Sequence, residues 1–167
     1  EEVLAECPTA SEDQLNQAVI AAQSAFEKWK DTTLDERRAK LGEIADIIDA
    51  NSDELARSLT QEQGKPLEEA MVEISGAAMV FRYFQSLDLP VEVLEDSETQ
   101  RVEVHRNPLG VVGAIIPWNF PVFLMAFKLP AALLAGNSIV IKPAPTTPLT
   151  TLRFGELIAN VLPAGLV

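Results

Sequence analysis

The chain has 167 residues, a net charge of −12 and an isoelectric point near 4.4. This length is sufficient for one domain with a sizeable hydrophobic core. The acidic balance argues against nucleic acid as a partner, because such binding depends on Lys and Arg side chains that neutralise phosphates. A single cysteine, Cys7, excludes an internal disulfide and favours a reducing, cytoplasmic environment. The first residues lack the basic and apolar regions of a signal peptide, so none is expected.

Helical patterns occupy most of the first 89 residues, from Ser11 onwards. Two helices are predicted to begin with capping boxes, at Ser11–Gln14 and at Thr33–Glu36. A third is predicted to begin with Asn51 as its cap and to end near Gly64, and a fourth to begin at Pro66. Apolar residues spaced by three and four positions predict a buried face on each helix; on the first these are Leu15, Ala18, Val19, Ala22, Phe26 and Trp29.

Strand patterns occur at the start of the chain and again after residue 89. Residues 2–7 alternate weakly and predict the end of a strand, while residues 90–95 and 100–106 predict two strands joined by a polar turn. Val111 to Ile116 and Ser138 to Ile141 are short apolar runs rich in β-branched residues. Such runs are typical of parallel strands that are buried on both faces.

Helices are predicted between and after these two apolar runs. Residues 121–135 predict a helix that Gly136 ends, and Thr147 followed by Pro148 predicts the cap and first turn of another. Residues 162–167 then predict the start of a further strand. The order strand, helix, strand, helix with short connections indicates an α/β fold with a parallel sheet.

The most informative segment runs from Pro108 to Ile141, because its only ionisable side chain is Lys128. We expect so apolar a segment to be buried, in protein or in lipid, since exposed apolar surface costs about 25 cal/mol per Å². Prolines and polar residues interrupt it before the roughly 20 apolar residues needed to span a bilayer, so a membrane-inserted hairpin is the less favoured alternative. Residues 117–121 read Pro-Trp-Asn-Phe-Pro directly after one apolar strand, and Lys142 follows the other.

These features resemble the aldehyde dehydrogenase family, in which a strand leads into Pro-Trp-Asn-Phe-Pro, a helix follows, and a second strand ends in Lys-Pro. The resemblance covers the whole chain, including the break at residues 62–66. It implies that residues 1–89 form the N-terminal helical part of a cofactor-binding domain. It also implies that residues 90–107 form a strand pair like the family's oligomerisation hairpin, and that residues 108–167 begin a Rossmann-like sheet. The resemblance further implies that the protein binds NAD or NADP, acts on a small aldehyde and forms a homo-oligomer, dimeric or tetrameric.

The resemblance also assigns roles to individual residues. In the family a cysteine thiolate attacks the aldehyde, hydride passes to the nicotinamide, and water releases the carboxylate. Asn119 is then the amide donor to the oxyanion, a role suited to a fixed donor, and Lys128 takes part in proton transfer. Two aromatic residues line the substrate pocket, Phe120 and Phe127. The cofactor-binding positions are Ile116, Pro117, Trp118, Lys142 and Pro145, with Lys142 on the adenosine ribose.

Pro145 bears on the choice of cofactor. In many NAD-preferring relatives a glutamate stands three residues after the lysine and holds the ribose hydroxyls, whereas this chain has Pro145. The resemblance therefore predicts that NADP is accepted, alone or alongside NAD. The start of the helix after Thr147 is expected to offer backbone donors to the 2′-phosphate.

Other parts of the family's machinery are expected beyond Val167, namely the nucleophilic cysteine, the general-base glutamate and the glycine-containing phosphate segment. The chain is therefore expected to be an N-terminal fragment that is inactive alone, since Cys7 matches no catalytic position. Residues 64–66, Gly-Lys-Pro, are not a P-loop and are interpreted as a helix break. His105 has no partner in the sequence for metal binding, and no metal site is predicted. A non-catalytic cofactor-binding or assembly module derived from the same fold is the alternative.

Overall fold

The computed structural model describes residues 3–167. Its elements in chain order are α1 (Glu12–Trp29), α2 (Leu34–Ala50), α3 (Ser52–Gln63), α4 (Leu67–Ser86), β1 (Glu92–Asp96), β2 (Arg101–Val104), β3 (Val111–Ile115), α5 (Pro121–Ala126), α6 (Leu129–Leu134), β4 (Ser138–Lys142) and α7 (Leu149–Ile158). The predicted α/β fold class is confirmed.

The starts and ends of the first helices follow from local hydrogen bonds. Capping boxes open α1 and α2 as predicted, because the side chains of Ser11 and Thr33 accept from the backbone of the third helical residue. Gly64 ends α3 with a φ of 87°, a left-handed conformation that favours glycine. Asn51 occupies the cap position of α3 as predicted, but its side chain makes no cap hydrogen bond, because its Nδ2 donates backwards to Ile47 O at 2.8 Å.

The apolar face of α1 is only partly buried. Ala22, Phe26 and Trp29 lie in the core, whereas Leu15 and Val19 are 53% and 41% exposed. No other described residues cover the first half of this helix. The predicted buried face is therefore found only in its second half.

Two small sheets follow the helices. Strands β1 and β2 pair antiparallel from Glu92↔Val104, and β3 and β4 pair parallel from Val111↔Ser138 to Ile115↔Lys142. The strand predicted at residues 2–7 is wrong where it is described, because residues 3–10 form no regular element; residue 2 lies outside the described residues.

Burial of the parallel strands on both faces is a further prediction that the structure corrects. Ala114 and Ile139 are buried under the helices, but Ile115 is 75% exposed, because the described residues cover only one face of β3. Residues 162–167 form turns rather than a strand. Even so, Leu166 O accepts from Ile139 N at 3.0 Å, at the edge of β4 opposite β3.

The single helix predicted over residues 121–135 is divided into α5 and α6. Pro130 accounts for the break, because proline has no N–H and its ring clashes with the carbonyl four residues earlier, that of Ala126. Gly136, with a φ of 89°, ends α6 as predicted.

One hydrophobic core joins the helices α1–α4 to the parallel sheet and α5–α7. Polar links run across the same boundary. Trp29 Nε1 donates to Leu133 O at 3.0 Å, and the buried Arg37 donates to Leu134 O at 3.2 Å and to backbone carbonyls of the turn between α1 and α2. Burial lowers the pKa of Arg37. Among residues 3–167, no helix is both long enough and apolar enough to cross a bilayer.

Candidate active site

The candidate site lies where the two parallel strands end. Ile116 N donates to Lys142 O at 3.0 Å, which brings the ends of β3 and β4 together. The loops at residues 117–120 and 143–148 both leave the sheet at this edge. Crevices at the carboxyl ends of parallel strands are where α/β proteins bind their ligands. Two of the predicted cofactor residues, Ile116 and Lys142, are thus neighbours.

The loop at residues 117–120, here called the Asn119 loop, presents its side chains to solvent. The Asn119 carboxamide makes no hydrogen bond within the described part of the chain, whereas its backbone carbonyl accepts from Gln63 Nε2 at 2.9 Å and from Lys65 Nζ at 3.1 Å. The loop is therefore held by its backbone, which leaves the amide group of Asn119 available as a donor.

Exposed apolar side chains surround this loop. The expectation that the whole apolar segment 108–141 is buried is wrong for Leu109, which is 92% exposed before the start of β3. It is also wrong for one group at or near the loop, which is between 46% and 75% exposed: Ile115, Trp118, Phe120 and Phe127. An exposed apolar group of this kind is typical of a surface that meets a ligand or further protein. Lys128 is also exposed, at the break between α5 and α6.

A buried ion pair supports the loop, and the sequence interpretation missed it. Lys65 Nζ contacts Glu73 Oε2, and the two side chains are 7% and 0% exposed. Glu73 Oε1 accepts from the backbone N–H of Val122 at 2.9 Å and of Phe123 at 3.2 Å, at the start of α5. The interpretation of residues 64–66 as a helix break is therefore incomplete. The sequence did contain a signal for the ion pair, because Glu73 shares the buried face of α4 with Ile74 and Ala77.

Phe120 and Phe127 line one cavity of about 560 Å³ between α4 and α5. Phe123 and Phe127 meet edge to face with ring centroids 4.8 Å apart. A Cβ atom on Gly76 would lie 3.0 Å from Phe123 Cε2, so this glycine makes room for the ring. The lining residues are Val72, Glu73, Gly76, Met79, Val80, Tyr83, Phe84, Phe120, Phe123 and Phe127. The two residues that the sequence assigned to a substrate pocket are thus in one place, and Lys128 is not among its lining residues.

Lys142, the last residue of β4, and Pro145, on the other loop of the site, are exposed. Lys142 Nζ donates to Pro143 O at 3.1 Å, a contact that leaves further ammonium donors free.

The start of α7 differs from the prediction. Pro148 rather than Thr147 occupies the cap position, and it makes no side-chain cap hydrogen bond. Instead Glu62, from the end of α3, accepts from Leu149 N at 2.7 Å and from Thr150 N at 3.1 Å. The expectation of free backbone donors for a 2′-phosphate is wrong at these two groups, because a carboxylate already occupies them.

Comparison with known proteins is consistent with this geometry. Residues 1–167 match the family model described as Aldehyde dehydrogenase family. Aldehyde dehydrogenase B of Escherichia coli is 39% identical over 170 residues, an alignment that covers 99% of this chain and 33% of that protein.

Two solved structures are similar over 99% of this chain. The betaine aldehyde dehydrogenase of Staphylococcus aureus, solved with NAD⁺, has a TM-score of 0.93 and 34% identity, and 35% of that chain is covered. The glyceraldehyde-3-phosphate dehydrogenase GapN of Methanocaldococcus jannaschii, solved with NADP, has a TM-score of 0.94 and 30% identity, with 38% covered.

The chain belongs to the aldehyde dehydrogenase family. It spans about a third of the length of the curated relatives that it matches.

Proposed function

We propose that this chain is part of an NAD(P)-dependent aldehyde dehydrogenase that oxidises an aldehyde to a carboxylate through a cysteine thioester. The nucleophile and the general base are supplied by residues outside this chain, which contributes one oxyanion donor and much of the cofactor-binding surface. One observation carries the proposal: in a member of this family, the Asn119 loop is held by its backbone at the carboxyl edge of the sheet while its carboxamide is free.

Asn119 is the oxyanion donor of this chain. When a thiolate attacks an aldehyde, negative charge develops on the carbonyl oxygen, and an amide N–H held in place stabilises that charge by roughly 2.7–4 kcal/mol per donor. Lys128, exposed beside the cavity-lining Phe127, takes part in proton transfer.

The cofactor is NAD or NADP, and it binds along Ile116, Pro117, Trp118, Lys142 and Pro145. The residues fit such a group, because Pro117, Trp118, Lys142 and Pro145 are exposed and Lys142 has ammonium donors free for ribose hydroxyls. The bound nicotinamide supplies the hydride acceptor. Both cofactors occur among similar structures, NAD⁺ in the Staphylococcus aureus enzyme and NADP in GapN. Acceptance of NADP now depends on the lack of a carboxylate at Pro145 and not on α7, whose first donors are occupied by Glu62.

The small aldehyde enters along the cavity that Phe120 and Phe127 line, and its aromatic walls favour an apolar substituent on the substrate. We also propose that the protein acts in the cytoplasm as a homo-oligomer. The exposed strand pair β1–β2, with Val93 and Leu94 largely open to solvent, supports an interface at this position. The single cysteine supports a reducing compartment.

The test is Asn119→Ala in the protein expressed from its complete reading frame, with Asn160→Ala, an exposed asparagine on the last turns, as the matched control. We expect kcat to fall by about 100- to 1,000-fold at Asn119 with a much smaller change in KM. The control should retain kcat. An Asn119→Ala protein with unchanged kcat, or a wild-type protein that binds nicotinamide cofactor without turnover, would favour a non-catalytic binding or assembly module instead.

A further inference from the structure

The ion pair of Lys65 and Glu73 is buried, and both of its charged groups have further hydrogen-bond partners. The Glu73 side chain has no exposed surface and the Lys65 side chain retains 7%. Taking two charges out of water is costly unless further hydrogen bonds satisfy both groups. Glu73 meets this condition, because Oε2 contacts Lys65 while Oε1 accepts from the N–H groups of Val122 and Phe123.

Lys65 extends the same network to the Asn119 loop. Its ammonium group donates to Asn119 O at 3.1 Å and lies 4.1 Å from the centroid of the Phe120 ring, a cation–π distance. Gln63 Nε2 adds bonds to Asn119 O at 2.9 Å and to Trp118 O at 3.4 Å. The backbone on both sides of Asn119 is thus attached to a rigid helix pair, α3 and α4.

We propose that Lys65 and Glu73 are positioning residues that fix the Asn119 loop, so that the Asn119 carboxamide points at the site where the oxyanion forms. This inference rests on the proposed function, which makes that carboxamide the oxyanion donor. A donor stabilises developing charge only when its position is fixed before the reaction. A buried ion pair is by itself weak evidence for a stabilising role. An apolar pair in its place would leave Asn119 O without its Lys65 donor and the N–H groups of Val122 and Phe123 without their acceptor.

The principal test replaces both charges at once, as Lys65→Met/Glu73→Gln, in the protein expressed from its complete reading frame. Glutamine keeps an acceptor for the N–H groups of Val122 and Phe123, while methionine cannot donate to Asn119 O. We expect kcat to fall by about 10- to 100-fold, because a displacement of about 1 Å in a reacting group can cost 100-fold. The KM for cofactor should change by less than about threefold. Arg82→Met, which removes an exposed cation of α4, is the matched control and should retain kcat.

A double-mutant cycle separates positioning from a purely structural role. In an Asn119→Ala background, the paired substitution should lower kcat by less than about threefold, because the donor that it positions is already gone. A fall as large as in the wild-type background overturns the inference. The single substitution Lys65→Arg keeps a cation and several donors. It should therefore retain much more of the wild-type kcat than the paired substitution does.

Amide hydrogen exchange supplies a readout that does not depend on activity. The segment 118–124 should exchange faster in the paired variant than in wild type, while α2 should be unchanged. If Asn119→Ala retains full kcat, the proposed function fails, and this exchange still decides whether the ion pair orders the loop. Wild-type kcat and exchange in the paired variant, even with a lower melting temperature, would overturn the inference.

If the paired variant does not fold, Gln63→Met tests the same inference. Gln63 is only half-buried, so its substitution should disturb folding less. It removes the Nε2 group that donates to the Trp118 and Asn119 carbonyls of the Asn119 loop. We expect a fall in kcat of about 3- to 10-fold that disappears in the Asn119→Ala background. A fall of equal size in both backgrounds would contradict the inference.

Discussion

Glu62, at the end of α3, accepts a hydrogen bond of 2.7 Å from the backbone N–H of Leu149, 87 residues further along the chain. The segment that follows it, Gln63 to Lys65, binds the carbonyl of Asn119. Glu62, Gln63 and Lys65, at and just after the end of α3, therefore contact both the Asn119 loop and the start of α7, to which the other loop leads. The relative position of the two loops therefore depends on this segment as well as on the sheet.

Loss of the Glu62 cap should destabilise the protein. We expect Glu62→Ala to lower the free energy of unfolding by about 1–2 kcal/mol, because two backbone donors at the start of α7 lose their acceptor. Glu62→Gln should cost less, since the amide oxygen still accepts. Urea denaturation measures both, with Glu98→Ala in the exposed turn between β1 and β2 as the control. Equal stability of the Glu62→Ala and Glu98→Ala proteins would show that the cap contributes nothing.

Arg37 should be among the most sensitive polar positions. Arg37→Met removes the donor to four backbone carbonyls, one of them that of Leu134. We expect a loss of about 3 kcal/mol or more, because hydrogen bonds to a charged group contribute about 1.5–3 kcal/mol each and their acceptors are left buried. Arg57→Met, on an exposed part of α3, is the control and should change stability by less than about 0.5 kcal/mol. A change of similar size in both variants would contradict this prediction.

Acid should weaken the start of α2. The hydrogen bonds from the backbone N–H and hydroxyl of Thr33 hold the pKa of Glu36 below its ordinary value of 4.5. The unfolded chain therefore binds this proton more readily, so the stabilisation is present above pH 4.5 and is lost as the pH falls through the folded-state pKa. In Glu36→Gln, which keeps the acceptor, stability should depend less on pH between about 6 and about 3.

The capping box of α1 provides the reciprocal control for the acid effect. It uses Gln14, which does not titrate. Gln14→Glu should introduce at α1 the acid sensitivity that Glu36→Gln removes from α2. Urea midpoints that vary with pH to the same extent in wild type and both variants would rule out this assignment.

Cofactor preference should change at Pro145. In the protein expressed from its complete reading frame, we expect measurable kcat/KM with NADP, and Pro145→Glu should shift the ratio toward NAD by at least about tenfold. A carboxylate close to the 2′-phosphate costs about 1–4 kcal/mol, depending on the local dielectric. Thr146→Glu, one residue further on, controls for added charge and should shift the ratio less. Strong NAD preference in wild type, together with an unchanged ratio in Pro145→Glu, would refute the assignment.

The 167-residue chain by itself should not oxidise aldehydes. Cys7 is its only thiol, and it is exposed within residues 3–10, which form no regular element. We expect no reduction of NAD or NADP in the presence of aldehyde, for the wild-type chain and for Cys7→Ser alike. Activity that Cys7→Ser abolishes would contradict this expectation and would make Cys7 a nucleophile.

The sequence predicted what local interactions determine. Both capping boxes and the left-handed Gly64 depend on residues within one helical turn, and the two parallel strands were visible as apolar β-branched runs. Pro130 also indicated a break between α5 and α6, but the continuous apolar pattern around it favoured a single helix.

The support of the site could not be predicted in the same way. Lys65 lies 54 residues from Asn119, and Glu62 lies 87 from Leu149, so no local spacing connects them. Glu73 was the exception, since a carboxylate on the buried face of a helix requires partners wherever they come from. The exposed side of β3 was unpredictable for another reason: burial depends on which elements pack on it, and the apolar pattern does not identify them.

The bond between Arg37 and Leu134 has a consequence for synthesis on the ribosome. The two residues are 97 positions apart, so at about 5–20 residues per second Leu134 follows Arg37 by roughly 5–20 s. Throughout that interval the guanidinium of Arg37 stays hydrated and the α1–α2 corner lacks the carbonyl that completes it. Until the sheet region emerges, the helices of the first half therefore stay incompletely packed, and the apolar surface that they later bury is open to association.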